Sequence, residues 1–168
     1  EPVPRQGRRV RSSEPISLLL RNTNRLITPS GRSKASFLWD QTQLNNAIMV
    51  GVVETWLTEQ HADAEVCIPG FTIFRSDRHG RDGGGVALYL REDMTGDIIA
   101  QFDNGTCEMI MIMVHQINTV VAVCYRPPNT RYSQLEEMVK MLDSTLSKLP
   151  SPTPNLCWMG DFNLPAPA

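Results

Sequence analysis

Short apolar runs alternate along the chain with polar, glycine-rich or proline-rich segments, and this pattern predicts β-strands. The runs at 48–53, 107–114 and 119–125 are apolar at nearly every position, which is typical of strands buried on both faces. The last two are close together in sequence and predict a hairpin. Further strands are predicted at 16–20, 71–75, 84–91 and 155–159.

Two segments carry apolar residues at helical spacing instead. The first, 34–46, has a mixed apolar pattern, whereas 133–149 has one continuous apolar stripe and a Ser133–Glu136 pair that predicts a capping box. The stripe consists of Leu135, Met138, Val139, Leu142, Leu146 and Leu149. Because strands and helices alternate around a central hairpin, the sequence predicts a layered α/β sandwich.

Composition limits the domain organisation. A chain of 168 residues with 41% hydrophobic and 20% charged residues can bury one sizeable core, and we expect one domain over 16–168. Residues 1–15 hold three prolines and four arginines, and we expect a disordered linker there rather than a nucleic-acid-binding arm. The net charge of −2 excludes a global positive field for non-specific DNA binding.

Cysteine usage and hydropathy bear on the cellular compartment. The four cysteines contain no C-x-x-C pair, and three of them lie in or beside apolar runs. This pattern favours reduced, buried thiols and hence an intracellular protein. Since no apolar stretch reaches the roughly 18 to 20 residues that a membrane-spanning helix requires, we expect no membrane association.

The candidate site residues share one feature, which is that each lies where a predicted strand ends. They are Asn22, Glu54, Tyr125, Arg126, Asp161 and Asn163. In layered α/β proteins ligands gather at strand ends, so these residues could converge on one cleft. Two alternatives stay open, because Glu54 could cap a turn or pair with an arginine, and Asp161 with Asn163 could form an Asx turn.

Together these residue types match the coordination chemistry of a hard cation. Mg²⁺ or Mn²⁺ takes a few carboxylate oxygens, here from Glu54 and Asp161, and completes its shell with water and phosphate oxygens. The two asparagine amides could orient a phosphate, Tyr125 could donate a phenolic hydrogen bond, and Arg126 could contact a phosphate oxygen. The set indicates metal-assisted hydrolysis of a phosphate ester.

Five short motifs follow one another in a fixed order. They are ETWL at 54–57, FRSDR at 74–78, GGGVALY at 83–89, YRPPN at 125–129 and GDFN at 160–163. In this order and spacing they resemble the apurinic-type endonuclease domain of non-LTR retrotransposons, within the endonuclease/exonuclease/phosphatase family, over about 17–165. The resemblance implies a DNase I-like fold, an Mg²⁺- or Mn²⁺-dependent endonuclease that nicks target DNA, a fused or adjacent reverse transcriptase, and a nuclear site of action.

The resemblance also implies a role for each candidate residue. Glu54 would be the metal-binding glutamate, Tyr125 the active-site tyrosine, and GDFN at 160–163 would supply an aspartate and an asparagine. Asn22 would be the asparagine after the first strand, a position for which Asn24 fits almost as well.

Members of that family carry a further stretch after GDxN, ending in an Asp-His pair whose histidine is the general base. Here only Ala-Pro-Ala follows Pro165. We therefore expect the N-terminal two-thirds of such a domain, inactive alone, because loss of a base typically lowers the rate by about 10² to 10⁴-fold. His61, His79 and His115 lie in predicted loops or turns, where surface roles are expected.

Alternatives remain for the function. Phosphatases and phosphodiesterases acting on phosphorylated lipids share the fold, and a non-catalytic remnant or binding module would keep the fold without activity. The glycine run at 83–85 predicts a tight turn rather than a phosphate-binding loop, because it lacks the Gly-Lys-Ser/Thr ending of that motif.

Overall fold

A computed structural model describes residues 16–164. In this range the strands form two sheets of four strands each. None of the described helices is long and apolar enough to span a bilayer. The predicted disordered tail at 1–15 lies outside the described residues.

The first sheet has the strand order β1-β2-β4-β3. Its strands are β1 (Leu18–Asn22), β2 (Met49–Val53), β3 (Phe71–Ser76) and β4 (Val86–Arg91). β1 and β2 are parallel and are connected through helix α1 (Ala35–Asn45), whereas β4 pairs antiparallel with both β2 and β3. A parallel pair needs such a crossover because the chain must return to the same end of the sheet.

The second sheet has the strand order β5-β6-β7-β8. Its strands are β5 (Gly96–Asp103), β6 (Glu108–Val114), β7 (Thr119–Tyr125) and β8 (Asn155–Asp161). β6 and β7 form the predicted hairpin and turn through a short 3-10 helix, His115–Ile117. β7 and β8 are parallel and are connected through helix α2 (Tyr132–Leu146).

The main core lies between the two sheets, and β6 shows how it is built. Ile110 and Ile112 pack in a cluster with residues of β2, β4 and β7, whereas Met109 and Met111 pack on the outer face against α2. Successive strand residues point to opposite faces, so a strand buried on both sides must be apolar throughout. The first sheet packs against α1 in the same way. The predicted α/β sandwich is confirmed.

The structure corrects the predicted boundaries of β1 and β8 and adds one strand that was not predicted. β1 begins at Leu18, two positions later than predicted, and β8 continues through Asp161 rather than ending before it. The sequence pattern does not predict β5, because a register shift between Ile98 and Ala100 breaks the apolar alternation and most of this edge strand is solvent-accessible.

The predicted capping box that begins at Ser133 is wrong. Helix α2 already includes Ser133, has Arg131 as its N-cap, and lacks a side-chain cap hydrogen bond. In the predicted apolar stripe Met138 and Leu142 are buried, but Val139 is 40% exposed. Only part of the stripe therefore faces the second sheet.

Substitution of Gly160 should destabilise the fold strongly. A Cβ there would overlap the carbonyl oxygen and Sγ of Cys124 on β7, and a central strand cannot move aside. We expect Gly160→Ala to cost about 3 kcal/mol in the free energy of unfolding. Gly51→Ala is the control and should cost about 1 kcal/mol, because its Cβ would meet the flexible end of Met159, 2.8 Å from Cε. Equal losses in chemical denaturation would contradict the close strand contact.

Thiol reactivity should follow burial. Cys67 is exposed, whereas Cys107 and Cys124 are buried. Burial raises the pKa of the Cys107 thiol and raises the pKa of Cys124 to about 12, so both have little thiolate near neutral pH. We expect a thiol reagent to label Cys67 in the native protein and the other two only after denaturation. Mass spectrometry of labelled peptides measures this, and rapid native labelling of Cys124 would disprove it.

Candidate active site

Two parallel strand pairs bring their C-terminal ends to one edge of the sandwich. In the first pair Asn22 lies opposite Val53, the residue before Glu54. In the second pair Tyr125 lies opposite Asp161. Because Val53 and Tyr125 pack in the same core cluster, both strand ends reach the same place.

The Asn22 amide bridges two carboxylates at this edge. Its Nδ2 donates to Glu54 Oε1 at 2.9 Å and to Asp161 Oδ2 at 3.1 Å. Its Oδ1 accepts from the backbone N–H of Asn24 at 3.0 Å. Of the two asparagines considered for this position, Asn22 is therefore the one in contact with the carboxylates, and its contacts join the two sheets.

Tyr125 completes this cluster from β7. Its side chain is buried, and its phenol lies beside the Glu54 carboxylate. Burial, followed by the neighbouring carboxylates of Glu54 and Asp161, raises the pKa of Tyr125 above its ordinary value. The nearby Arg78 acts in the opposite direction. Tyr125 is therefore held as a neutral hydrogen-bond donor.

The backbone of Glu54 has a φ of 55°, which is uncommon for a residue with a side chain. Two neighbours hold its carbonyl group in place. The backbone N–H of Arg25 donates to it at 2.8 Å, and the Thr23 hydroxyl donates at 3.0 Å. Such a conformation is maintained only when surrounding contacts determine it. Glu54 thus leaves β2 in a direction set by the loop after β1.

The glycine turn at 83–85 supports the same segment. The backbone N–H groups of Thr55 and Trp56 donate to the carbonyls of Gly85 and Gly84 at 3.2 and 2.9 Å. All three glycines have positive φ, as the predicted tight turn requires. The turn therefore packs against the residues that follow Glu54.

Asp161 also forms the Asx turn considered as an alternative. Its Oδ1 accepts from the backbone N–H of Asn163 at 3.3 Å, while Oδ2 accepts from Asn22. The Asn163 side chain donates through Nδ2 to the carbonyl of Arg126 at 2.9 Å. The turn and the site contact therefore occur together.

Arg126 lies in a different environment from the one predicted. It is 3% exposed, and its guanidinium donates to the carbonyls of Thr130, Phe162 and Asn163 at 2.6, 2.9 and 2.6 Å. Both Nη atoms are thus bonded to backbone carbonyls, whereas Nε has no hydrogen-bond partner in the described residues, and the predicted phosphate contact stays a prediction. Arg126 holds the segment that follows β8.

A buried ion pair at the site lies outside the sequence predictions. Glu108, 2% exposed and opposite Tyr125 in the hairpin, pairs with Arg78 and accepts from the Gly85 N–H at 2.8 Å. Burial raises the pKa of Glu108, and Arg78 opposes the shift. The Arg78 guanidinium lies 5.9 Å from the centre of the Tyr125 ring. The sequence signal for this ion pair was Glu108, a charged residue at the start of the apolar strand β6.

The chemistry of the cluster fits a divalent cation. In the described residues neither Glu54 nor Asp161 forms an ion pair with lysine or arginine, although both contact the same neutral amide. Residues 16–164 contain no group of three or more His, Cys, Asp and Glu side chains arranged for a metal. Mg²⁺ needs only one or two carboxylates beside water and phosphate oxygens.

The three histidines make contacts elsewhere, as predicted. Their nearest polar partners are Thr58 for His61 at 3.0 Å, Glu59 for His79 at 3.5 Å and Asp97 for His115 at 2.7 Å. Within the described part of the chain, none of them joins the Asn22 cluster.

Comparison with solved structures places the fold among known enzymes. An AP endonuclease from Archaeoglobus fulgidus matches with a TM-score of 0.61 at 17% identity. The match covers 89% of this chain and 58% of the endonuclease chain. A mannosyl-6-phosphatase from Bacteroides thetaiotaomicron matches with a TM-score of 0.60 at 14% identity, over 89% of this chain and 66% of the phosphatase chain. D. rerio TDP2 complexed with single-strand DNA product matches with a TM-score of 0.54 at 19% identity, over 89% of this chain and 61% of the TDP2 chain. The chain thus spans less than two thirds of these relatives.

Sequence comparison is consistent with the fold. No curated protein matches the chain significantly. The sequence profile of the endonuclease/exonuclease/phosphatase family matches residues 20–168, which is most of the chain. With the fold shared by its structural neighbours, this match establishes that the chain belongs to the endonuclease/exonuclease/phosphatase family.

Proposed function

We propose that the protein hydrolyses phosphodiester bonds in DNA with a divalent cation bound by Glu54 and Asp161. Family members are hydrolases of phosphodiesters or phosphate esters and generally use divalent metals such as Mg²⁺. The observation that carries the proposal is the amide of Asn22, which brings these two carboxylates together without a cationic side chain in the described residues.

The residues of the cluster have distinct roles in this proposal. Asn22 orients both carboxylates, and the buried phenol of Tyr125 is a neutral donor available beside them. A bound Mg²⁺ or Mn²⁺ would supply Lewis-acid polarisation of the phosphoryl group. Asn163 and Arg126 act through the backbone, since their mutual hydrogen bonds hold the turn that carries Asp161. In this proposal the protein orients the two carboxylates, and their negative charge holds the cation at one phosphate.

As the more specific function we propose a nicking endonuclease of a non-LTR retrotransposon, which acts in the nucleus with a reverse transcriptase. The ETWL, GGGVALY and YRPPN motifs support it by resemblance. An AP endonuclease and a DNA-bound TDP2 among the structural neighbours support DNA as the substrate. Nicking of supercoiled plasmid is the direct test, and Mg²⁺-dependent nicking by this chain would contradict the expectation that it is inactive alone.

A phosphate monoester is the second candidate substrate, because the mannosyl-6-phosphatase fold is equally similar. Parallel assays on plasmid DNA and on sugar and lipid phosphates separate the two. A binding module without activity would hydrolyse none of these substrates, and its ligand binding would not change when Glu54 and Asp161 are neutralised.

Neutralising either carboxylate should weaken metal binding. We expect Asp161→Asn and Glu54→Gln each to lower Mn²⁺ affinity, measured by calorimetry, by at least the roughly 10- to 100-fold that loss of an outer-shell partner causes, and to abolish Mg²⁺-dependent plasmid nicking. Asp143→Asn, an exposed carboxylate on α2, is the matched control and should bind Mn²⁺ normally. If Asp161→Asn and Asp143→Asn bind Mn²⁺ equally well, the metal site is not at Asp161.

Removal of the Tyr125 hydroxyl should affect turnover rather than metal binding. We expect Tyr125→Phe to lower kcat by about 10² to 10³-fold, as loss of one preorganised donor does, with unchanged Mn²⁺ affinity. Because its pKa is raised, the phenol stays protonated as pH rises through its ordinary pKa of about 10. Tyr132→Phe, 62% exposed, is the control. Comparable kcat values for the two variants would argue against the role of Tyr125.

A further inference from the structure

A second cleft adjoins the candidate active site. It has a volume of about 250 Å³ and is lined by residues of three loops, among them Arg25, Trp56, Arg78, Arg81 and Asp82. It shares a wall with the metal-binding residues, since the backbone N–H of Arg25 donates to the carbonyl of Glu54. A ligand in this cleft would therefore lie next to a phosphate held at Glu54 and Asp161.

The lining of the cleft carries an excess of positive charge. It contains three arginines and one carboxylate, Asp82. The charge of Arg78 is balanced by Glu108 below it. In the described residues neither Arg25 nor Arg81 forms an ion pair. Two cationic side chains thus face one anionic group, which favours an anion in the cleft.

The donors in the cleft are held in place. Arg25 lies over the Trp56 ring at 4.3 Å from its centre. Arg78 is fixed by Glu108 and the Thr106 carbonyl, and a Cβ at Gly84 would overlap its guanidinium, so the space depends on that glycine. Within the described residues its remaining nitrogen, Nη1, has no hydrogen-bond partner. A preorganised guanidinium is well suited to phosphate oxygens.

Trp56 has an unpaired polar atom in the wall of the cleft. Its indole Nε1 is buried in the cleft wall and makes no hydrogen bond with the described residues. Buried N–H groups are nearly always paired, so an unpaired one calls for a missing partner.

We propose that the cleft of Arg25, Arg78 and Arg81 binds a second phosphate of the polynucleotide, adjacent to the one that is hydrolysed. The proposal rests on the proposed function, since it assumes a substrate with a repeating phosphate backbone. It assigns substrate selection to this cleft, because a phosphate monoester or a lone diester cannot occupy both positions.

Binding is the first test and needs no turnover. Affinity for a fluorescent duplex oligonucleotide is measured in EDTA over a range of salt concentrations. We expect Arg81→Gln and Arg25→Gln each to weaken binding and to reduce the slope of log K against log salt by about one. Lys140→Gln, an exposed charge on α2, removes the same charge away from the cleft. Arg81→Gln is the more informative variant because Arg81 is exposed and its substitution leaves the core intact.

Hydrolysis separates this proposal from the proposed function. The ratio of kcat/KM for the oligonucleotide to kcat/KM for bis(p-nitrophenyl) phosphate, a diester with one phosphate, should fall about tenfold in Arg81→Gln and remain constant in Lys140→Gln. A constant ratio in Arg81→Gln, with binding equal to that of Lys140→Gln, overturns the second phosphate site and leaves the proposed function standing. If the unaltered protein hydrolyses neither substrate, this agrees with the inactivity expected of the chain alone, and the salt dependence of binding decides for or against the cleft. Failure of the proposed function is then seen as equal Mn²⁺ affinity of Asp161→Asn and Asp143→Asn.

Discussion

The contact of one amide with two carboxylates sets the main constraint on this molecule. Asn22 donates to Glu54 and to Asp161, although the two carboxylates come from different sheets. Like charges so close together repel each other, and in the described residues no lysine or arginine is paired with them. The packing of the sandwich must hold them there. It does so because both parallel strand pairs end at the same edge of a shared core.

The backbone around the site is correspondingly restricted. Glu54 keeps a positive φ because the loop after β1 bonds its carbonyl. Gly160 allows β8 to approach Cys124 of β7, which places Asp161 beside Tyr125. Arg126 then binds the chain that leaves β8. Each of these features uses backbone geometry, rather than a further charged group, to direct a carboxylate.

The buried pair of Arg78 and Glu108 connects the candidate active site with the neighbouring cleft. One side of the Arg78 guanidinium lies over the Tyr125 ring, and the same side chain lines the neighbouring cleft. Removing one partner of a buried pair leaves an uncompensated buried charge, which lowers the free energy of unfolding by about 3 to 5 kcal/mol. The pair therefore ties the glycine turn, the hairpin and Tyr125 into one unit, so that the candidate catalytic residue and the proposed phosphate site share one support.

Much of this architecture could be read from the pattern of residues alone. The continuous apolar runs at 48–53, 107–114 and 119–125 determined central strands, because only apolar side chains tolerate burial on both faces. A polar residue directly after such a run indicated Glu54, because an isolated charge there is costly. β5 was missed because its bulge breaks the alternation on which strand prediction depends. The stretch from Tyr132 to Leu146 was found as a helix, but its first residue depended on the loop before it.

Only the tertiary structure decided which of these residues meet. From the sequence Asn24 fits the position almost as well as Asn22, and the register of β1 against β2 selects Asn22. Arg126 follows a strand as the other candidates do, yet its guanidinium turns to three backbone carbonyls rather than to solvent. The pairing of Arg78 with Glu108 joins residues far apart in the chain. Sequence determines burial and strand character because these depend on local side-chain chemistry, whereas partners depend on distances that exist only once the sheets have packed.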